Sequence, residues 1–261
     1  MNLEHELQKI VNEYTFHDGI TQEDSMFING CIGLYRKNNN PEILKKIEKY
    51  MEVRISADSA DLCKLGNALR FLFEKTQKDC YMTAIKKIMA YIMNAKNIDG
   101  ILVHEDGSMI TAIEAYELIP VYAWYETNYN KKEHYIDIIN QLRYLLDQML
   151  IKNTVELYDR CTFMMTLADT ITCMSEEIYE YYAQIKTWLK DAVHRKLPVV
   201  NSDCLRVAYS ILKGCKSKAL LPEKYEKIGK EMFYQATDKL LANQGEDKEG
   251  LGILLMTYAL I

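Results

Sequence analysis

Apolar residues recur at three- and four-residue spacing almost from end to end of this chain, the period of helix and not of strand. Twelve segments carry the pattern: 3–15, 23–37, 41–54, 59–75, 78–96, 109–128, 132–152, 157–173, 176–196, 203–215, 222–242 and 249–261. Local chemistry marks the joints. Asn39-Asn40-Pro41 stops one helix and puts Pro in the first turn of the next. Ser175-Glu176-Glu177 offers a hydroxyl cap and two acids to a positive helix end, and Leu221-Pro222-Glu223 repeats the Pro-then-acid order. Twelve helices joined by short loops make six hairpins.

The two members of each hairpin differ in character. Odd-numbered segments such as ILKKIEKYMEVR, TAIKKIMAYIMN and KYEKIGKEMFYQATDK are amphipathic and laced with Lys and Glu, as expected of an outer, solvated layer. Even-numbered ones, among them MFINGCIGLY, LGNALRFLF, AYELIPVYAW, CTFMMTLADTI, LRVAYSIL and LGILLMTYAL, are apolar nearly all round, which is the mark of buried helices. Six inner helices alternating with six outer ones predict an all-α fold, an (α/α)6 barrel formed by residues 1–261 as one domain. An open solenoid of helical hairpins is the competing arrangement, but its repeats should resemble one another more closely than these do.

The longest break in the helical pattern is Asn97–Tyr116, NIDGILVHEDGSMITAIEAY, where two Asp-Gly turns bracket His104. A loop of about a dozen residues in a chain of short connections tends to be functional. In a barrel of this kind all outer-to-inner loops gather at one end. The polar residues that open the inner helices should therefore converge there: Glu23 and Asp24, Asp58 and Asp61, His104, Glu105 and Glu114, Asp159 and Arg160, Ser202 and Asp203, Asp247 and Glu249. Capping explains acids at helix starts equally well.

Composition narrows the function classes. A net charge of −5 with no cluster of five basic residues leaves no footprint for nucleic acid. Seven cysteines, an odd number without a CxxC pair, suit reduced thiols, and His5, His17, His134 and His194 show no metal-ligand spacing, so neither cofactor nor metal is expected. The charged N-terminus and the lack of any 18-residue apolar run predict no membrane partner and a cytoplasmic location. Four Pro and 11 Gly against 13 Met and 19 Tyr fit an all-helical protein.

Several stretches, in order, resemble the unsaturated glucuronyl and rhamnogalacturonyl hydrolases, glycosidases built on an (α/α)6 barrel. Gly30-Cys31-Ile32-Gly33-Leu34-Tyr35 followed by Pro41-Glu42-Ile43-Leu44 is similar to their second helix and its continuation. Asp61-Leu62-Cys63-Lys64-Leu65-Gly66-Asn67-Ala68-Leu69, Ala115-Tyr116-Glu117-Leu118-Ile119-Pro120 and Phe163-Met164-Met165-Thr166-Leu167-Ala168-Asp169-Thr170 resemble later inner helices, as do Val207–Gly214 and Gly250–Leu255. The likeness spans almost the whole chain.

The resemblance implies hydration of a vinyl ether. A carboxyl protonates C4 of an unsaturated uronic acid, water adds at C5, and the hemiketal collapses to release the sugar. A second carboxylate nearby raises the acid's pKa. Asp61 matches one member of the pair by position. For the other, Ile113 stands where the family has its acid/base Asp, and Glu114 follows it, a helical rotation of about 100° away. The implied site is thus Asp61 and Glu114 as carboxylates, with His104, Arg160, Tyr116 and Tyr158 around an oligosaccharide or small sugar ligand. The family's aromatic insertion before its fourth inner helix is reduced here to Leu157–Thr162, and the only tryptophans, Trp124 and Trp188, lie in helix bodies. A catalytically degenerate barrel that binds carbohydrate or a protein partner is the alternative. A sugar epimerase on the same fold would call for paired barrel histidines, which this chain lacks.

Overall fold

The computed structural model describes residues 3–151, 156–242 and 247–261. Among these residues the chain forms thirteen α-helices: α1 (Leu3–Glu13), α2 (Gln22–Asn38), α3 (Pro41–Glu52), α4 (Ser59–Lys64), α5 (Gly66–Thr76), α6 (Asp79–Asn94), α7 (Ala112–Asn128), α8 (Tyr135–Leu146), α9 (Leu157–Ile171), α10 (Tyr179–His194), α11 (Asn201–Lys216), α12 (Pro222–Ala242) and α13 (Lys248–Tyr258). Between α6 and α7 lies a two-stranded antiparallel hairpin, β1 (Asn97–Ile98) and β2 (Ile101–Leu102).

Helices α2, α5, α7, α9, α11 and α13 pack each on the next, and α13 returns to α2. The ring is therefore closed, an (α/α)6 barrel, and the open solenoid is excluded. Two glycines permit the closing seam. A Cβ added at Gly30 would sit 2.5 Å from the carbonyl oxygen of Gly252, and one added at Gly252 would collide with the Met26 backbone. The outer helices bury a single face, as in α3, where Ile43, Ile47, Tyr50 and Met51 point inward behind a Pro41 first turn capped by Asn40.

The expected helix over 59–75 is two helices. At Leu65 the backbone leaves helical geometry (φ −102°, ψ 7°), and Gly66 brings α5 against α7, where a Cβ would meet Val121 at 2.7 Å. Ser25 of α2 donates its hydroxyl to the Lys64 carbonyl that the break exposes. The expected helix over 109–128 begins at Ala112, because Thr111 and Glu114 form a reciprocal capping box there. The expected 132–152 helix ends at Leu146 and continues as a π-helical turn, Asp147–Ile151; Lys152 lies outside the described residues. Among the described residues no helix is long and apolar enough to cross a membrane.

Candidate active site

The inner-helix N-termini do gather at one end of the barrel, where they form two polar constellations. The first joins four helices. From α2, Gln22 donates to Tyr158 of α9 and to Glu249 of α13 (Nε2 to Oε2, 3.0 Å). Tyr158 donates to the other Glu249 oxygen at 3.1 Å, and Arg206 of α11 bonds both Glu249 and Asp203 (2.9 Å) while lying 4.2 Å over the Tyr158 ring. Arg206 is only 2% exposed, so its charge is held by two carboxylates and an aromatic face.

The second constellation lies off the barrel axis, in a cavity of about 290 Å³ between α4, α6, α7 and the β1–β2 hairpin. Asp61, Lys64, His104, Glu114 and Glu117 all line it. Asp61 is in the first turn of α4, its amide bonded to the Asp58 cap, and its carboxylate takes Lys64 Nζ at 2.8 Å. Glu114 is differently engaged. Its Oε2 accepts the Thr111 amide at 2.7 Å and the Thr111 hydroxyl at 2.8 Å, and His104 Nε2 stands 3.3 Å from the same oxygen. That carboxylate holds the start of α7 and the His-bearing loop together.

Glu117 completes the cavity. It is 7% exposed and sits among the apolar side chains of α7, with the Lys64 cation as the one positive charge acting on it among the described residues. Burial pushes its pKa up to about 8; the Lys64 cation opposes the shift, and the carboxylates of Glu114 and Glu249 add to it. On α7 it follows Ile113 by four residues, so it occupies the same helix face one turn deeper. A buried carboxyl with a raised pKa, in one cavity with an ion-paired carboxylate, is an arrangement in which one group can donate a proton while the other remains charged. An open groove of about 870 Å³ adjoins this cavity, sharing Tyr91, Ala95, Val103 and His104 with it. Tyr91 is 43% exposed at that junction and presents the aromatic surface the sequence did not predict.

Of the residues expected at the site, Asp61, Glu114 and His104 thus share one cavity. Tyr158 belongs to the constellation around Glu249. Tyr116 is buried on the other side of α7, its hydroxyl 3.9 Å from Met256 Sδ, and lines a separate cavity in the barrel bore. Arg160 lines neither, and its Nε is buried without a partner. Glu117, Lys64, Gln22 and Arg206 were not among the expected residues, although a single acid in AYELIPVYAW and a single arginine in LRVAYSIL are buried-charge signals in apolar helices. No group of three His, Cys, Asp or Glu side chains among the described residues is arranged to hold a metal.

Fold and cavity together define an (α/α)6 barrel with a carboxyl-lined cleft at the N-termini of its inner helices. No family model matches the chain, and no curated protein matches it in sequence. Solved structures do. A family 105 glycoside hydrolase from C. acetobutylicum ATCC 824 superposes with a TM-score of 0.80 at 16% identity, over 100% of this chain and 99% of that one. A polysaccharide lyase matches with a TM-score of 0.71 at 12% identity, over 99% and 97%. A family 88 glycosyl hydrolase from Bacteroides vulgatus matches with a TM-score of 0.66 at 11% identity, over 98% and 98%. The fold is that of the hydrolases the sequence resembles, carried by a widely diverged sequence.

Proposed function

We propose that this protein is a glycoside hydrolase acting on unsaturated uronyl oligosaccharides, with Glu117 as the acid and Asp61 as its charged partner. The observation that carries the reading is Glu117 itself: a buried carboxyl whose pKa is raised to about 8, in the same cavity as an ion-paired aspartate. The family 105 and family 88 barrels support the hydrolase class. Glu114 then serves as the positioning carboxylate that holds His104 at the rim.

The proton moves from the Glu117 carboxyl to C4 of the double bond, which leaves positive charge shared between C5 and the ring oxygen. Water adds at C5 and gives its proton to Asp61, whose charge Lys64 steadies. The hemiketal then opens to a ketone at C5 as its hydroxyl proton passes to the ring oxygen. The C1 hemiacetal so formed expels the linked sugar as its own hydroxyl proton passes to the leaving oxygen, and exchange with solvent returns the Asp61 proton to Glu117. Lys64 and His104 are the groups placed to meet the uronate carboxylate, and Tyr91 offers its ring to a sugar in the adjoining groove. Seven free cysteines, six of them buried, favour a reducing compartment such as the cytoplasm.

The test is absorbance. Unsaturated disaccharides from pectin and from glycosaminoglycans lose their conjugated-acid band when the double bond is hydrated. The reading predicts a steady fall with at least one of them. A panel that shows no fall contradicts it and leaves a barrel without this chemistry.

A further inference from the structure

The bore of the barrel holds a second cavity, about 270 Å³ in volume, to which all six inner helices contribute. Most of its lining comes from the C-terminal halves of α2, α9, α11 and α13, with Asn67 and Tyr116 from the starts of α5 and α7, and four cations converge on it: Arg36 from α2, Arg70 from α5, and Lys213 and Lys216 from α11. Its one lining acid is Asp169, and that carboxylate is occupied, taking the Tyr209 hydroxyl at 2.6 Å and Lys213 Nζ at 3.3 Å.

The other three cations are poorly matched. Arg36 has only a long ion pair with Glu74, 3.8 Å, and lies 5.3 Å over the Phe71 ring. Arg70 points one nitrogen at the thiol of Cys173, a weak acceptor, and its Nε is buried without any partner. Lys216 reaches only the Ala259 carbonyl, at 3.5 Å. Four positive groups against Asp169 and Glu74 leave two charges uncompensated. The electrostatics divide: against the effect of its burial, Cys173, Glu74 and Asp169 hold Arg70 above its ordinary pKa, while the two outer cations are lowered. Burial and the neighbouring Arg70 hold Arg36 below its ordinary pKa, and burial with Lys37 and Lys213 does the same for Lys216.

A concave site lined by one sign of charge concentrates counter-ions. Guanidinium forks match tetrahedral and planar oxyanions, with two N–H groups to two oxygens. Asn29, Asn67 and the tyrosine hydroxyls add neutral polar groups to the wall. We propose that the bore is a binding site for a small dianionic oxyanion, a phosphate or the phosphate group of a small ester, with Arg36, Arg70 and Lys216 as its cationic ligands and Lys213 turned toward Asp169.

The site is tested by calorimetric titration of the full chain, at fixed ionic strength, with inorganic phosphate and separately with glucose 6-phosphate. The proposal expects one saturable site per chain for at least one of them, with Kd at or below about 1 mM. Tighter binding of the ester identifies an organic phosphate as the occupant, and tighter binding of the free ion identifies phosphate. Arg36→Gln and Lys216→Gln, both with exposed side chains and checked for native fold by circular dichroism, should each weaken binding at least tenfold. Lys227→Gln on α12 should leave it unchanged. Absence of saturable binding to either probe, or equal affinity in the Arg36 and Lys216 variants, overturns the proposal. Because binding is read without turnover, and neither Arg36 nor Lys216 lines the Glu117 cavity, neither result bears on the hydrolase reading.

Discussion

His104 and Glu114 meet across the rim of the off-axis cavity, Nε2 to Oε2 at 3.3 Å, on the oxygen that also takes the amide and hydroxyl of Thr111. The pairing makes Glu114 the cap of α7 and the anchor of the loop before it. Glu117, one turn further along the same helix, is the buried carboxyl of the cavity and the acid of the proposed reaction.

Loss of that cap has a definite cost. Thr111→Ala and Glu114→Ala should each destabilise the protein by about 1 kcal/mol, because each removes one half of a reciprocal box. The double variant should cost less than the sum, since the two side chains share their bonds. Urea unfolding of the three variants measures this. Strict additivity would mean that the two groups act separately.

Glu117 ties stability to pH. Its folded value of about 8 lies above its ordinary 4.5, so the native state holds a proton that the unfolded chain releases across that window. The stability it contributes is complete below about pH 4.5 and is lost as pH rises toward 8, with a slope of at most about 1.4 kcal/mol per pH unit. Glu117→Gln removes the titration. Unfolding free energies between pH 5 and 8 should fall with pH in the wild type and be flatter in the variant; parallel curves would place Glu117 in a solvated setting.

The seam between α2 and α13 closes the ring through glycine. Gly252→Ala pushes a methyl group into the Met26 backbone, which cannot move aside as a side-chain tip would. A loss of about 1–3 kcal/mol is expected from such overpacking. An unchanged denaturation midpoint would contradict the close approach of the first and last inner helices.

At the axial mouth, Arg206 holds Glu249 and Asp203 together from a nearly fully buried position. Arg206→Met leaves two carboxylates facing each other and should cost about 3–5 kcal/mol. Arg206→Lys should recover little, because one ammonium cannot reproduce a fork that spans two carboxylates. Thermal unfolding distinguishes the pair from wild type; full recovery by lysine would show that charge alone matters.

Much of this architecture was legible in the sequence for a simple reason: inner and outer helices bury different fractions of their surface, and the alternation of apolar and amphipathic segments records it. The break at Leu65 was hidden because apolar spacing runs unbroken through LCKLGNALRF, and only the approach of α7 to Gly66 requires it. The β1–β2 hairpin was too short to show a strand period, although its Asp99-Gly100 turn was visible, with both residues at positive φ. Asp61, His104 and Glu114, expected together from the sequence, line one cavity because each sits at the start of an inner helix or in the loop before it. Glu117 was not legible as a site residue because a lone acid within the apolar run AYELIPVYAW reveals its cavity only once α6 and the β1–β2 hairpin pack over it. Tyr116 and Arg160 show the converse, being near the site in sequence but turned to other surroundings by helix rotation.

The central claim is that Glu117 delivers the proton. The most direct measurement is the initial rate of double-bond loss, followed by absorbance below pH 8, for wild type and Glu117→Gln on the same unsaturated uronyl disaccharide. Removing a general acid predicts a fall of about 10²–10⁴-fold in the variant, with its fold intact by circular dichroism. A Glu117→Gln protein that hydrates the substrate at the wild-type rate would contradict the account.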